Sequence, residues 1–330
     1  MSRPRVTAIV PHWNRRGLLE TLLGSIHSQT RGFDEVVVVD NGSTDGSAEL
    51  AERAGARVLR MGRNAGFAAA VNRGIEASSP QRADWVAILN NDVTLAPDWL
   101  EKLMTAGPGW FATGKLLRTA HPTTLDGTFD EISRGACACR CGAAQPDAPV
   151  WNQTRPIRFA PMTAALFRRV LFDEIGLLDE TFGSYLEDVD FGLRCALAGR
   201  AGLYVPAATA HHRGSSTLGE WNSDTVRYIA RNQVLLAAKY FRGQPLWPIV
   251  AGQLLWGCLA LRHARGWAYL RGKLSGLGAA RAVRKQHPPD PLETRRLRTI
   301  LEASEKEILE HERQAGSDWY WRAYFWLLRR

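Results

Sequence analysis

The sequence lacks the features that define several common classes of protein. The only apolar run near the N-terminus is Val6–Val10, which has five residues and ends at Pro11. This run is too short for a signal-peptide core or a membrane span. Five cysteines are an odd number, and the CxCxC cluster at 137–141 lacks the CxxC spacing usual for zinc. We therefore expect free thiols and a reducing compartment.

Acidic residues are absent from one long stretch of this 330-residue chain. Residues 242–285 contain eight basic residues and no acidic one, and residues 242–330 carry 16 Lys and Arg against 8 Asp and Glu. Of the formal net charge of +9, only +1 remains for residues 1–241. Residues 1–241 are thus nearly neutral and show no RNA- or DNA-binding signature, so no nucleic-acid partner is expected.

The first 110 residues alternate short β-rich runs with helical spacing, which predicts a mostly parallel sheet covered by helices. The predicted strands are Val6–Val10, Glu35–Asp40, Ala56–Met61 and Trp85–Leu89, and the helices between them include Leu18–Ser28 and Phe67–Ala77. No G-x-G-x-x-G motif follows the first strand, which disfavours a nicotinamide dehydrogenase. Ligands of such sheets bind at the carboxyl ends of the strands. We therefore expect the loops at 11–14, 40–46, 62–66 and 90–92 to share one cleft.

Asp92 follows the fourth predicted strand directly and is preceded by Asn90 and Asn91. A carboxylate among amides suits Mg²⁺ or Mn²⁺ bound together with substrate phosphates. The same residues also fit an ordinary turn held by Asx hydrogen bonds. The pattern alone leaves both interpretations open.

Two further segments carry groups capable of chemistry. Glu187, Asp188 and Asp190 open a predicted helix at 187–198, where they serve either as helix-dipole partners or as a general base. At helical spacing, Glu187 and Asp190 share one side and Asp188 points elsewhere. His212 follows a short predicted strand that ends at Pro206, and is either a structural histidine or a metal ligand paired with a distant Asp.

Six stretches, in this order along the chain, resemble the family-2 inverting glycosyltransferases with the GT-A fold. They are VTAIVPHWNR at 6–15, EVVVVDNGSTDGS at 35–47, NAGFAAAVNRGI at 64–75, WVAILNNDVTLAPDWL at 85–100, FGSYLEDVDFGLRCALAG at 182–199 and YVPAATAHHRGSS at 204–216. The resemblance implies an α/β fold, with a Rossmann-like GT-A catalytic domain at 1–240. A helical, basic, tryptophan-rich region follows at 241–330.

The resemblance also implies roles for individual residues. Asp188 would be the catalytic base, with Glu187 as the second candidate, and Asp92 and His212 would bind Mg²⁺ or Mn²⁺. The family's DXD element reads Asn90-Asn91-Asp92 here, so its first carboxylate is missing. The residues expected along the nucleotide-sugar donor are Pro11, Asn14, Asp40, Asn41, Asn64, Gly66, Asn72, Asn90 and Asn91.

Within the family, the LNNDV, YLEDVDFGLR and HHRGSS forms look most like bacterial rhamnosyltransferases of cell-wall and surface-polysaccharide assembly. That likeness implies transfer of L-rhamnose from dTDP-rhamnose to a glycan or a polyprenyl-linked acceptor. Two alternatives remain: a transferase of the same family that uses a UDP-sugar, and a nucleotide-sugar-binding protein without activity.

The C-terminal region has the composition of a membrane-surface element. Leu246–Leu261 is apolar but only 16 residues long, and Arg262, Arg265 and Arg271 follow it. A span needs about 20 apolar residues, so we expect a helix lying in the interfacial plane. Helices that pack on the body or on a second chain are the alternative. The expected location is cytoplasmic, at the inner face of the cell membrane, with a homodimer as one outcome.

Overall fold

The structure is a computed structural model, and it describes residues 3–78, 81, 83–214, 221–316 and 318–329. The chain forms two compact units: Met1–Phe129 with Gly142–Thr217, and Asp130–Cys141 with Leu218–Arg330. This division differs from the boundary predicted at 240–241, because the second unit begins earlier and includes a short internal segment. The assignment of catalysis to residues 1–240 stays a prediction.

The first unit is an α/β domain. Its strands are β1 (Val6–His12), β2 (Glu35–Asp40), β3 (Arg57–Arg60), β4 (Trp85–Leu89), β5 (Val93–Leu95), β6 (Phe111–Arg118) and β7 (Leu125–Gly127), followed after the second unit's hairpin by β10 (Arg155–Ile157), β11 (Ala164–Arg168) and β12 (Gly202–His212). Its helices are α1 (Arg16–His27), α2 (Ser47–Arg53), α3 (Phe67–Ala77), α4 (Trp99–Thr105), α5 (Leu171–Ile175) and α6 (Glu187–Leu197), with short 3₁₀ turns at Pro149–Trp151 and Glu180–Phe182.

Ten strands form one sheet in the order β10-β12-β6-β11-β4-β1-β2-β3, with β5 beside β12 and β7 beside β6. The half made of β4, β1, β2 and β3 is parallel throughout. Antiparallel β11 joins this half to β6 and β12, which are parallel to each other. The predicted α/β class, with a sheet flanked by helices, is confirmed.

Local sequence explains why the parallel half folds as predicted. The β-branched run of β2 fills a strand whose last four residues are fully buried, as expected for a strand covered on both faces. Helix α3 approaches the sheet closely because it presents small residues, and a methyl group at Gly74 would collide with the side chain of Ile9. The predicted bounds of β2, α3 and β4 coincide with those of the structure.

The strand that carries His212 is longer than predicted. The sequence predicts a strand that ends at Pro206, but β12 continues to His212. Its pairing with β6 shifts register between Val205 and Thr209, and such an irregularity accommodates a proline that cannot donate to the ladder. His212 is therefore held on a paired strand and does not lie in a loop.

In its described residues, the second unit consists of five helices and one small hairpin. The hairpin strands are β8 (Asp130–Ile132) and β9 (Ala138–Arg140), and the helices are α7 (Ser223–Tyr240), α8 (Leu246–Arg262), α9 (Gly266–Gln286), α10 (Pro291–Ala315) and α11 (Trp319–Leu328). The hairpin is fixed by side chains of α10: Ser304 Oγ accepts from the Ile132 amide at 2.7 Å, and Glu305 binds Arg134. No helix among the described residues is long and apolar enough to span a membrane.

A buried polar cluster joins three helices to the hairpin. Lys273 Nζ donates to Gln233 Oε1 at 2.8 Å and also to Gln253 Oε1, while Gln253 Nε2 lies 3.3 Å from Cys137 Sγ. Burial lowers the pKa of Lys273 to about 8 and raises that of Cys137 to about 11. The cysteines predicted as thiols carry no disulfide in the described residues.

Candidate active site

Hydrogen bonds join the loops that follow β1 and β2. The Asn14 amide donates to Ser43 Oγ at 2.8 Å, and Asn14 Oδ1 accepts from the Thr44 amide at 3.0 Å. Asn14 has a left-handed backbone with φ of 53°, a conformation that asparagine tolerates better than most residues. Asp40 is buried, and its Oδ1 accepts from the Ser43 amide at 3.1 Å. Asn14 and Asp40, both predicted to contact the nucleotide-sugar donor, therefore bond to the same turn at residues 43–44.

Asn41 ties the second loop to the third. Its Nδ2 donates to Asn64 Oδ1 and to the Gly66 carbonyl, both at 3.1 Å, and its Oδ1 accepts from the Ala65 amide at 2.9 Å. The side chain is almost fully buried, so these bonds are shielded from water. Three residues predicted for the donor site, Asn41, Asn64 and Gly66, thus lie together at the start of α3.

His12 connects β1 to the turn after β4. Its Nδ1 lies 2.9 Å from Asn91 Nδ2, and β1 also carries Pro11 in register with Val39. Burial lowers the pKa of His12 to about 4, although Asp45 and Asp40 act in the opposite direction. The imidazole is neutral at physiological pH. His12 Nε2 and Asn90 Oδ1 are both buried without a hydrogen-bond partner among the described residues, which leaves two polar atoms for a ligand or water.

Asp92 and His212 meet at the end of this row of loops. His212 Nε2 lies 3.1 Å from Asp92 Oδ1, and His212 Nδ1 lies 2.8 Å from Asp126 Oδ2. All three side chains are about nine-tenths buried. Burial disfavours the imidazolium, but the hydrogen bonds to the two carboxylates outweigh it and raise the pKa of His212 to about 9.

The positions of His212 Nε2 and Asp92 Oδ1 fit two ligand atoms of a divalent cation that also binds a substrate. Octahedral Mg²⁺ holds its ligands at about 2.1 Å, so neighbouring ligand atoms are ~3.0 Å apart, close to the observed distance between His212 Nε2 and Asp92 Oδ1. A carboxylate on the remote ring nitrogen, as Asp126 provides, fixes the orientation of a metal-binding imidazole. The described residues contain no group of three or more His, Cys, Asp and Glu arranged as a metal shell, so phosphate oxygens or water would complete it.

The acidic segment of α6 begins after a constrained turn. Tyr185 and Leu186 both have left-handed backbones, with φ of 70° and 66°, and non-glycine residues in this region carry strain that clusters at functional sites. Glu187 is 5% exposed and Asp190 is fully buried against Arg194. Asp188 is less buried, as its predicted position on another side of the helix requires.

The turn before α6 reaches the third loop of the site. The carbonyl of Gly183 accepts from the Ala68 amide at 3.0 Å, and Ser184 Oγ accepts from the Phe67 amide at 3.3 Å. Gly66 has φ of 92° and ψ of 170°, a conformation available essentially only to glycine. The N-terminus of α3 therefore positions the turn that leads into α6. Its contact residue Ser184 is four residues before Asp188.

Asn72 differs from the other predicted donor residues. Its Nδ2 donates to the Leu178 carbonyl and to Glu180 Oε1, and its Oδ1 accepts from the Leu178 amide, all at 2.9 Å. In this structure the whole amide is used to hold the segment before α6. Contact between Asn72 and a donor sugar stays a prediction.

Two site residues were missed by sequence reasoning. Asp126 lies in an irregular stretch without periodicity, and only the pairing of β7 with β6 brings it beside β12. His12 occupies a buried strand position, where a histidine has no distinctive pattern. The side-chain hydrogen bond from His212 to Asp126 spans 86 residues of sequence, so no local signal marks it.

Comparisons with known proteins show the family of the chain and confirm the predicted GT-A fold. Residues 7–106 match the family described as Glycosyl transferase family 2. Over 272 residues the chain is 30% identical to an N-acetylglucosaminyl-diphospho-decaprenol L-rhamnosyltransferase of Mycobacterium tuberculosis, covering 74% of this chain and 87% of that protein. The chain belongs to glycosyltransferase family 2, and it is an enzyme of the transferase class predicted from its motifs.

A further relative and two solved structures also resemble the chain. A pre-mycofactocin glycosyltransferase of Mycobacterium tuberculosis is 28% identical over 288 residues, which cover 84% of this chain and 58% of that protein. Among solved structures, GalNAc-T7 with UDP, GalNAc and Mn²⁺ aligns with a TM-score of 0.62 at 14% identity, over 93% of this chain and 58% of that one. The mannosyltransferase PcManGT from Pyrobaculum calidifontis, with GDP-Man and Mn²⁺, aligns with a TM-score of 0.52 at 19% identity, over 98% and 86%. These structural likenesses establish the fold.

We expect Gly66→Ala to destabilise the protein more than Gly62→Ala. Both glycines have positive φ, so both substitutions carry a backbone penalty. A Cβ at Gly66 would lie 3.0 Å from the Gly183 carbonyl oxygen, whereas nothing lies within 4 Å of one at Gly62. The expected difference is about 1–2 kcal/mol in the free energy of unfolding, measured by urea denaturation. Equal losses would mean that the approach of Gly183 to α3 does not constrain the site.

Proposed function

We propose that the protein transfers L-rhamnose, with inversion, from dTDP-rhamnose to a hydroxyl of a lipid-linked or polysaccharide acceptor. The observation that carries the proposal is the buried Asp92–His212–Asp126 chain, which lies beside the loops bonded around Asn14, Asn41 and Asn91. The choice of rhamnose and of a lipid-linked acceptor is supported by the name of the Mycobacterium tuberculosis relative.

The proposed cofactor is Mg²⁺ or Mn²⁺, bound by Asp92 and His212. Support comes from the distance between their donor atoms and from the orientation of the imidazole by Asp126. The structures of GalNAc-T7 and PcManGT both contain Mn²⁺. When bound, the ion offsets the charge that develops on the departing nucleoside diphosphate.

Asp188 is the proposed general base, with Glu187 as the second candidate. The carboxylate takes the proton of the acceptor hydroxyl while that oxygen forms a bond to the anomeric carbon. The bond from the anomeric carbon to the diphosphate oxygen breaks, and the diphosphate leaves with the electron pair on the opposite face. Asp188 is favoured because Glu187 is the more buried of the two, and a base must reach the substrate.

The proposed donor pocket is formed by the carboxyl ends of β1 to β4 and the loops that follow them, with members Pro11, Asn14, Asp40, Asn41, Asn64, Gly66, Asn90 and Asn91. Asn72, on α3, is included as a predicted member whose amide is bonded to Leu178 and Glu180 in this structure. Support comes from the hydrogen bonds between the loops and from the general position of ligands in parallel sheets. Asn90 Oδ1, which has no partner among the described residues, is the most direct candidate for a polar contact with the donor.

Acceptor chemistry also suggests where the protein works. A polyprenyl-linked acceptor is embedded in a bilayer, so we propose that the protein acts at the cytoplasmic face of the cell membrane and contacts it through its C-terminal helices. Charge supports this, since residues 242–330 hold twice as many basic as acidic residues.

Donor identity is tested by thermal shift and transfer assays. The full-length protein is mixed with dTDP-rhamnose or with UDP-galactose, UDP-glucose and UDP-N-acetylglucosamine, with and without Mn²⁺. We expect the largest stabilisation with dTDP-rhamnose and Mn²⁺ together, because the ion and the diphosphate share one shell. Preference for a UDP-sugar would replace rhamnose as the donor. Binding without any transfer or donor hydrolysis would favour the non-catalytic alternative.

We expect Asp188→Asn to lower kcat by about 10²–10⁴-fold while nucleotide binding is kept, because an amide cannot accept the proton. Glu187→Gln is the matched variant, with the same loss of charge one residue earlier. The measurements are initial transfer rates and the dissociation constant of dTDP. Loss of nucleotide binding in Asp188→Asn would indicate a structural role, and a larger loss of kcat in Glu187→Gln would move the base to Glu187.

We expect Asp126→Asn to weaken Mn²⁺ binding about 10- to 100-fold, because the oriented carboxylate behind His212 is lost. Asp98→Asn is the control, since it removes an exposed carboxylate paired with Lys102 on α4. Titration calorimetry with Mn²⁺ in the presence of dTDP measures the affinity. Unchanged binding in Asp126→Asn would mean that Asp126 does not support a metal ligand.

A further inference from the structure

Helices α8 and α9 each expose a stripe of large apolar side chains. On α8 the stripe consists of Leu246, Trp247, Val250, Leu254 and Leu261, and on α9 of Trp267, Leu270, Leu274 and Leu277, each 47–74% exposed. On α9 the spacing of three, four and three residues places all four side chains on one side. We call these nine residues the α8–α9 apolar stripes.

The buried residues of the same helices are mostly small. They are Pro248, Ala251, Gly252, Gly257 and Ala260 on α8, and Gly266, Ala268, Gly272, Gly276, Ala280 and Val283 on α9. The fit is close, because a methyl group at Gly276 would lie 2.7 Å from the Arg231 carbonyl oxygen on α7. Helices that bury their small residues and expose their large apolar ones reverse the pattern of a water-facing helix. The arrangement is that of helices packed against lipid.

Positive charge accompanies the stripes. Arg262, Arg271, Arg281, Arg284 and Lys285 are exposed, and residues 242–285 contain no acidic residue. Arg281 lies four residues after Leu277 and continues the same side of α9. Large apolar side chains together with cations suit the boundary between acyl chains and anionic headgroups.

We propose that the α8–α9 apolar stripes bind the surface of an anionic lipid bilayer, with both helices lying in its interface. Binding to a bilayer adds to the proposed function and rests on it, because a lipid-linked acceptor would lie in that bilayer. Neither helix is long and apolar enough to span a membrane. A second copy of the chain is a poorer occupant, because a twofold contact brings identical basic surfaces together without an acidic residue from 242–285.

Flotation of the full-length protein with lipid vesicles tests the proposal. The vesicles contain phosphatidylcholine alone or mixed with phosphatidylglycerol. We expect the wild type to bind the anionic vesicles, and Trp267→Ser combined with Leu274→Ser to lower the partition coefficient about 100-fold, at roughly tenfold for each large apolar side chain. Leu292→Ser is the matched control, because Leu292 is 57% exposed on α10, outside the stripes, and it should bind like the wild type.

Charge is tested by Arg271→Gln combined with Arg281→Gln. We expect a loss of about fivefold for each arginine with anionic vesicles, and no change with neutral ones. Circular dichroism and thermal midpoints show whether each variant is folded.

Either of two results would overturn the proposal. The first is no vesicle binding by the wild type, in which case a dimer that the Trp267 and Leu274 changes dissociate would identify a second copy as the occupant. The second is an equal loss in Leu292→Ser. Because flotation requires neither donor nor acceptor, its failure is separate from failure of the glycosyl transfer assays.

Discussion

The candidate site depends on the position of His212 between Asp92 and Asp126. Hydrogen bonds to the two carboxylates favour the charged form of the imidazole. Nε2 must lose its proton before it and the Asp92 oxygen can bind a cation together. This arrangement requires β12 to run past its proline and pair with β5, which directly follows Asp92, and with β6. Strand β6 also pairs with β7, which carries Asp126. The long, irregular strand is therefore as important to the site as the side chains themselves.

Around this centre, the loops are held mainly by amide side chains. Asn41 and Asn72 each use the oxygen and the nitrogen of the side-chain amide to join segments distant in sequence. Asn14 does so with its side-chain oxygen and its backbone amide. Most of these bonds join neutral groups, and the carboxylates of Asp40 and Glu180 are among the charged acceptors. The buried, neutral His12 joins β1 to the turn at Asn91 in a similar way.

The second unit is built differently from the first. Lys273 is half-buried among glutamines, and the buried residues of α8 and α9 are mostly small. The large apolar side chains of these two helices lie on their exposed surfaces.

By itself, the sequence determined the family and most elements of the parallel half of the sheet. The β-branched run of Glu35–Asp40 and the small-residue pattern of Phe67–Ala77 predicted their bounds, because local periodicity and propensity decide secondary structure there. Only the tertiary structure decided that Asp126 supports His212, and that the segment 130–141 belongs to the helical unit. Strand pairing and packing bring together residues far apart in the chain, and no local pattern of residues encodes which of them meet.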